Sequence, residues 1–219
     1  MYPNLKFARA WLLKGPLGVP DLCDMVVEYA KYFLPDFSIG SKFLILGGDK
    51  QGRATILKDL LHRRRHRYKH GEAVTHVKNH KLCFSNVYTL SEFLRRADKS
   101  VWVGHELPAD ATKSDPICEL AMNSHHYGVD FFFTAQSLLE SVNSFVLRNM
   151  EVIVVYEYST RQHRLKLFDH FFNRAYKNFE QFEAALSIAA EHGGCLCLDQ
   201  YKYQAYHYMA DPTIPDFLI

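Results

Sequence analysis

Short apolar runs alternate along this chain with longer stretches in which apolar residues recur three and four apart. The first run, Phe43-Leu44-Ile45-Leu46, stops at Gly47-Gly48 and reads as a buried strand. From Thr55 to about Arg65 the residues Ile56, Leu57, Leu60 and Leu61 share one face and predict a helix. Further strands are expected at Lys81–Phe84, Val101–Val103, Val129–Thr134 and Glu151–Tyr156. The intervening helices are expected at Ser91–Ala97 and Pro116–His125, with a broken helix or loop over Ser137–Leu147. Two helices, Arg161–Tyr176 and Asn178–Glu191, then precede strands at Cys195–Leu198 and Tyr201–Met209. Apolar strands separated by helices imply a mostly parallel sheet covered on both faces, an α/β fold. Residues 1–40 stand apart: Pro16, Gly18 and Pro20 break the chain, Asp21 caps a helix through Phe33, and Pro35 and Gly40 end it. The expected organisation is an N-terminal helical extension, 1–40, and one domain, 41–219.

Composition narrows the function classes. With 219 residues, 48% hydrophobic and 23% charged, the chain is long and apolar enough for a full core. No uncharged apolar run approaches the roughly 18 residues of a membrane span. Five cysteines, an odd number without a CxxC pair, argue against a disulfide framework and for a reducing compartment. Net charge is only +2, so any polyanion must be met locally. His62 to His70 holds Arg63, Arg64, Arg65, Arg67 and Lys69 with no acid between them. Such a run neutralises DNA phosphates without reading sequence, and Tyr68 could stack on a base; a solvated helix end is the alternative. His62, His66 and His70 recur every four residues, but the flanking arginines repel a dication, so no metal site is expected there. Cys195 and Cys197 read as small buried hydrophobes, and Phe131-Phe132-Phe133 as strand core.

The segment with most chemistry in it is Gly47-Gly48-Asp49-Lys50-Gln51-Gly52-Arg53-Ala54-Thr55. A strand enters it and a helix leaves it, which is the context of a phosphate-binding loop. Glycines there let backbone N–H groups curl around phosphates, and the helix N-terminus adds a favourable dipole. Gly47 and Gly52 have the required spacing. The consensus Lys is replaced by Arg53, a planar fork, and the consensus Ser or Thr by Ala54, which has no hydroxyl for Mg²⁺. Thr55 has one, about 100° further round the helix. The glycines would also serve a plain strand-to-helix turn.

In order and spacing these segments resemble the genome-packaging ATPases of large double-stranded DNA viruses and membrane-containing phages, a branch of the FtsK–HerA superfamily. The resemblance covers about Lys42 to Ile219. It is carried by the degenerate loop, by Val101-Trp102-Val103-Gly104-His105-Glu106 in the place of the Walker B strand, and by Asn123 to Gln136, similar to the family's small-helix, strand and Thr-x-Gln element. Val146-Leu147-Arg148-Asn149 before the strand Val152–Val155 completes it. The resemblance implies a RecA-like P-loop NTPase fold whose C-terminal strands are antiparallel. It implies a ring subunit that translocates double-stranded DNA into a capsid, with ATP and Mg²⁺ as cofactors and a capsid or portal vertex as partner. The setting would be a virion or an infected host cell. Residues 47–55 would hold the nucleotide, Glu106 would position water, Gln136 would sense the γ-phosphate, and Arg148 would reach a neighbouring subunit. Both protein contacts to Mg²⁺ look lost, at Ala54 and at His105, unless Glu106 itself is the Walker B acid. An inactive pseudo-ATPase that binds DNA or completes an assembly is the alternative.

Overall fold

Lys42 to Gly47 is buried along its whole length, so its neighbours must cover it on both faces and along both edges. A computed structural model of the chain describes residues 37–48, 50–75, 99–105, 107, 113, 115–136, 142–156, 158, 160–191 and 193–214. In chain order these form β1 (Lys42–Gly47), α1 (Lys50–Arg64), β2 (His70–Thr75), β3 (Ser100–His105), α2 (Asp115–Tyr127), β4 (Val129–Ala135) and α3 (Ser144–Asn149). There follow β5 (Val152–Tyr156), α4 (Arg161–Leu167), α5 (Phe179–Glu191), β6 (Cys195–Asp199) and β7 (Gln204–Tyr208). The strands make a seven-stranded sheet in the order β2-β3-β4-β1-β5-β6-β7. Pairing is parallel from β2 across to β5 and antiparallel for β5–β6 and β6–β7. The mostly parallel sheet with antiparallel closing strands is therefore present. Of the other expected segments, the helix before Phe33, the strand at 81–84 and the helix at 91–97 lie outside the described residues.

Each sheet face has its own cover. Phe43, Ile45, Val101, Val103, Phe132, Val152 and Val154 pack against Ile56, Leu57, Leu60 and Leu61 of α1. Leu44, Leu46, Phe131, Phe133, Ile153 and Val155 face the other way, towards α2, α3 and α5. Alternation along the strands thus splits the aromatic triplet: Phe132 stacks on Phe43 at 4.4 Å, while Phe131 and Phe133 serve the opposite layer. Asn143 caps α3 by accepting from the Phe145 N–H at 3.0 Å. α4 is shorter than its apolar pattern suggested. It passes into a π turn, Phe168–Phe172, which brings Phe172 within 4.8 Å of Phe182.

The far end of α1 is tied to the sheet by charge. Asp130 at the start of β4 is fully buried and accepts from the N–H groups of Gly40 and Ser41, at 2.8 and 3.1 Å. Arg64 donates Nε to it at 2.7 Å, with Nη2 at 2.6 Å, and the Tyr68 hydroxyl adds a bond of 2.6 Å. The rest of the Arg64 fork donates to the carbonyls of Phe37 and Ser38, both at 3.0 Å. Burial works against the Arg64 charge, but Asp130 and Tyr68 outweigh it and its pKa is raised. Burial, then Asp130, also pushes the Tyr68 hydroxyl up. The pair is stable only while complete, since truncating one partner strands a buried charge.

Arg64→Met should therefore cost about 3–5 kcal/mol. Arg65→Met, one residue on and exposed, should change stability by less than about 0.5 kcal/mol. Urea unfolding of the full chain compares the two, and equal costs would take Arg64 out of the core.

Candidate nucleotide site

Five parallel strands place their carboxyl ends together, and β1 lies where the chain's path reverses. From β1 the chain crosses to β2, three places away, and β4 then hands over to β5 on the opposite side of β1. Open α/β sheets bind ligands outside the carboxyl end of a strand so placed. The register sets the contents of that end. Gly47 is opposite Tyr156, Leu46 opposite Ala135, and His105 opposite Thr134. Gln136, exposed and directly after β4, comes beside Gly47.

The loop itself is tighter than its spacing suggested. α1 starts at Lys50, not near Thr55, so Lys50, Gln51 and Gly52 already form its first turn. The first N–H groups of a helix have no partner within the helix itself. A Cβ on Gly47 would lie 2.6 Å from the Tyr156 carbonyl oxygen, and one on Gly52 would overlap the Tyr156 ring. Both glycines are thus demanded by Tyr156, a residue that sequence reasoning did not single out. Arg53 is 2% exposed, and its Nη1 donates to the Gly47 carbonyl, closing the loop from inside. Tyr158 lies beside it, and its hydroxyl donates to the Gln136 carbonyl at 2.6 Å. Burial pushes that hydroxyl's pKa up, against the nearby Arg53 charge, so it stays protonated.

His105 is fully buried, and its Nδ1 makes a 2.8 Å hydrogen bond with Thr134 Oγ1. It stands on the same sheet face as α1, where a Walker B carboxylate would reach a metal. The described residues at the two positions where the resemblance puts contacts to Mg²⁺ do not fit that hard cation, which takes oxygen ligands. Ala54 offers a methyl group and His105 an imidazole. No group of three His, Cys, Asp or Glu among the described residues could hold a metal ion. Asp49 and Glu106 lie outside the described residues.

The other predicted residues sit at the opposite edge. β5 begins beside Phe43 at the amino end of β1, and Arg148, four residues earlier, is exposed on α3. It cannot meet Gly47–Arg53 of its own chain. The basic stretch ends α1, about 21 Å from the loop for a 15-residue helix. There Arg64 is buried in the Asp130 pair, and Arg63 Nε bonds both Asp59 oxygens at 3.0 Å. Asp59 also accepts from the Tyr208 hydroxyl. Arg67 donates to the Phe37 carbonyl at 2.6 Å. Arg65 and Lys69 are exposed. The three histidines do not share a face: α1 stops at Arg64, a 3-10 turn spans Arg65–Arg67, and His70 opens β2.

No family model matches this chain, and no curated protein matches it. Solved structures do. The genome packaging NTPase B204 of Sulfolobus turreted icosahedral virus 2, in complex with AMPPCP, has a TM-score of 0.56 at 12% identity, covering 81% of this chain and 100% of that one. Its AMP complex gives 0.54 at 11% identity, covering 80% and 99%. B204 from Sulfolobus turreted icosahedral virus, a DNA-packaging ATPase, gives 0.51 at 13%, covering 79% and 98%. At such identities the likeness is one of fold, and the fold is that of a RecA-like P-loop NTPase.

The Gly52–Tyr156 contact makes a prediction whose sign depends on background. Gly52→Ala should destabilise the protein by about 1–3 kcal/mol through overpacking. In a Tyr156→Ala background the same change should be neutral or stabilising by up to about 1 kcal/mol, as helix propensity takes over. A double-mutant cycle by thermal or urea unfolding measures this, and additive effects would remove the contact.

Proposed function

We propose that this protein is a viral genome-packaging ATPase-like ring subunit that binds nucleotide at Gly47–Thr55 and acts on double-stranded DNA. The observation that supports it most is the register at the carboxyl end of β1. Gly47, Gly52, Arg53, Thr134 and Gln136 converge there within a fold shared with a packaging NTPase. Gln136 beside Gly47 is where a γ-phosphate sensor is useful, and Glu106 would follow His105 as the residue that positions water. Arg148, at the other edge of the sheet, would serve a neighbouring subunit's phosphates. A head-to-side contact of that kind is heterologous and closes into a ring when its rotation permits.

A second reading, a catalytically inactive member that binds DNA or completes an assembly, is favoured by the His105–Thr134 bond and the Ala54 methyl group. Phosphoryl transfer depends on positioning and charge neutralisation, and in this reading, with His105 rather than Glu106 in the Walker B place, both usual protein contacts to the metal are missing. ATP turnover of the assembled protein should therefore stay well below the common median of about 10 s⁻¹. Arg148→Ala should abolish whatever turnover exists and leave nucleotide binding intact. Turnover near the median, or unchanged by Arg148→Ala, would count against this assignment of roles.

On the DNA side, Arg63, Arg65 and Lys69 are exposed; Arg63 is paired with Asp59, which leaves Arg65 and Lys69 to test. Replacing both by Ala should weaken duplex binding equally for unrelated sequences. It should also lower the slope of log affinity against log salt by about 2, because each phosphate contact contributes about 0.9. Fluorescence anisotropy over a salt series reads the slope; an unchanged slope would make this stretch an ordinary solvated helix end.

A further inference from the structure

The hairpin that closes the sheet carries aromatic rings where a turn ordinarily carries small polar residues. β6 ends at Asp199, opposite Gln204 of β7, and Gln200 to Tyr203 make the turn between them. Asp199 Oδ1 accepts from the N–H groups of Tyr201 and Lys202 at 3.0 and 3.1 Å, which fixes the turn from inside. Tyr201 is 74% exposed and Tyr203 43%, so both rings reach solvent from a fixed support. The Arg174 guanidinium lies over the Tyr203 ring, 4.9 Å from its centroid, and donates Nη1 to its hydroxyl. The Tyr201 hydroxyl donates to Glu151 Oε1 at 3.1 Å.

Tyr203 holds a φ of 52°, in the left-handed region where glycine and asparagine sit easily and a bulky side chain does not. Backbone strain of this kind collects where a side chain has a task beyond the fold. The surroundings narrow that task. Lys202, its side chain 62% exposed, stands between the rings, and Arg174 lies beside them. The acids bonded to the turn are engaged, Glu151 with Lys42 at 3.2 Å and Asp199 with Lys202 at 3.4 Å. Lysine is depleted in protein interfaces, so the pattern suits a polyanion better than a protein partner. A duplex keeps its bases stacked on one another and meets proteins mainly through phosphates, which gives a tyrosine face nothing to cover. A single strand offers both phosphates and the π-face of every base.

We propose that the Tyr201–Tyr203 turn is a stacking platform for unpaired bases of single-stranded DNA, with Arg174 bracing Tyr203 and Lys202 meeting phosphates. The platform is distinct from the loop at Gly47, because the turn lies at the amino end of β5, where Asp199 pairs with Val152. It is also distinct from the duplex contact assigned to Arg65 and Lys69.

The test is fluorescence anisotropy of the full chain with three probes of about 12 nucleotides: oligothymidylate, an abasic strand and a duplex. Oligothymidylate should bind about tenfold or more tighter than the abasic strand, which keeps the phosphates and loses the bases. Tyr203→Asn should weaken oligothymidylate binding about fivefold or more and duplex binding less than about twofold. Its unfolding midpoint should stay level or rise, because asparagine accepts the left-handed turn. Tyr201→Ala should lose about as much affinity, whereas Tyr201→Phe, which keeps the ring without the Glu151 bond, should bind like the parent. Equal affinity for the thymidine and abasic strands would overturn the inference, as would absence of binding to any strand. Unchanged affinity in both ring-removing variants, or an equal loss on the duplex, would overturn it too. A smaller sedimentation coefficient for Tyr201→Ala would overturn it by reassigning the rings to a contact between copies. Should Tyr203→Asn not fold, the two Tyr201 variants carry the test.

Discussion

A negative charge buried at the amino end of β4 organises this molecule. Asp130 has no access to water, so its carboxylate must be met by donors, and the chain sends them from three places. Arg64 comes from the last turn of α1, Tyr68 from the segment leading to β2, and the N–H groups of Gly40 and Ser41 from the approach to β1. Together they hold α1, β1 and β4 in one relation. The hydrophobic contacts of α1 on Phe43, Ile45 and Phe132 favour burial in general; the ion pair selects one axial position among those that bury similar area. Since the loop is the other end of the same helix, its place over the carboxyl ends of β1 and β4 follows from a contact at the opposite edge of the sheet.

At the loop the fold is conserved in outline and altered in chemistry. The fold is that of a P-loop NTPase, and the register within it brings Gly47 and Gln136 side by side. The groups filling that frame differ from an ordinary site. Arg53 turns its fork onto the Gly47 carbonyl, Tyr156 covers Gly52, and His105 bonds to Thr134.

Much of the frame could be read from the chain because β1, β4 and β5 are buried on both faces and are mostly apolar in sequence, Asp130 and Thr134 in β4 being the polar exceptions at its core. β2 was not foreseen. His70-Gly71-Glu72-Ala73-Val74-Thr75 has little strand propensity of its own and becomes a strand by pairing with β3. The start of α1 was expected five residues late, because Gly52 reads as a helix breaker when the ring above it is unknown. Among the arginines no local feature distinguishes Arg64 from its neighbours. Its partner is 66 positions away, and only the fold makes them adjacent. Tyr156 and Tyr158 carried no signal beyond ending an apolar strand, although both end up against the loop.

The length of α1 also sets an angular tolerance. With its basic end fixed at Arg64 and its loop end about 21 Å away, a tilt of 5° would sweep the loop through about 2 Å. Binding geometries are held to about 0.5 Å, which on this lever arm allows a swing of little more than 1°. The helix behaves as a pointer, and the sharpness of its reading at the loop is decided at its pivot.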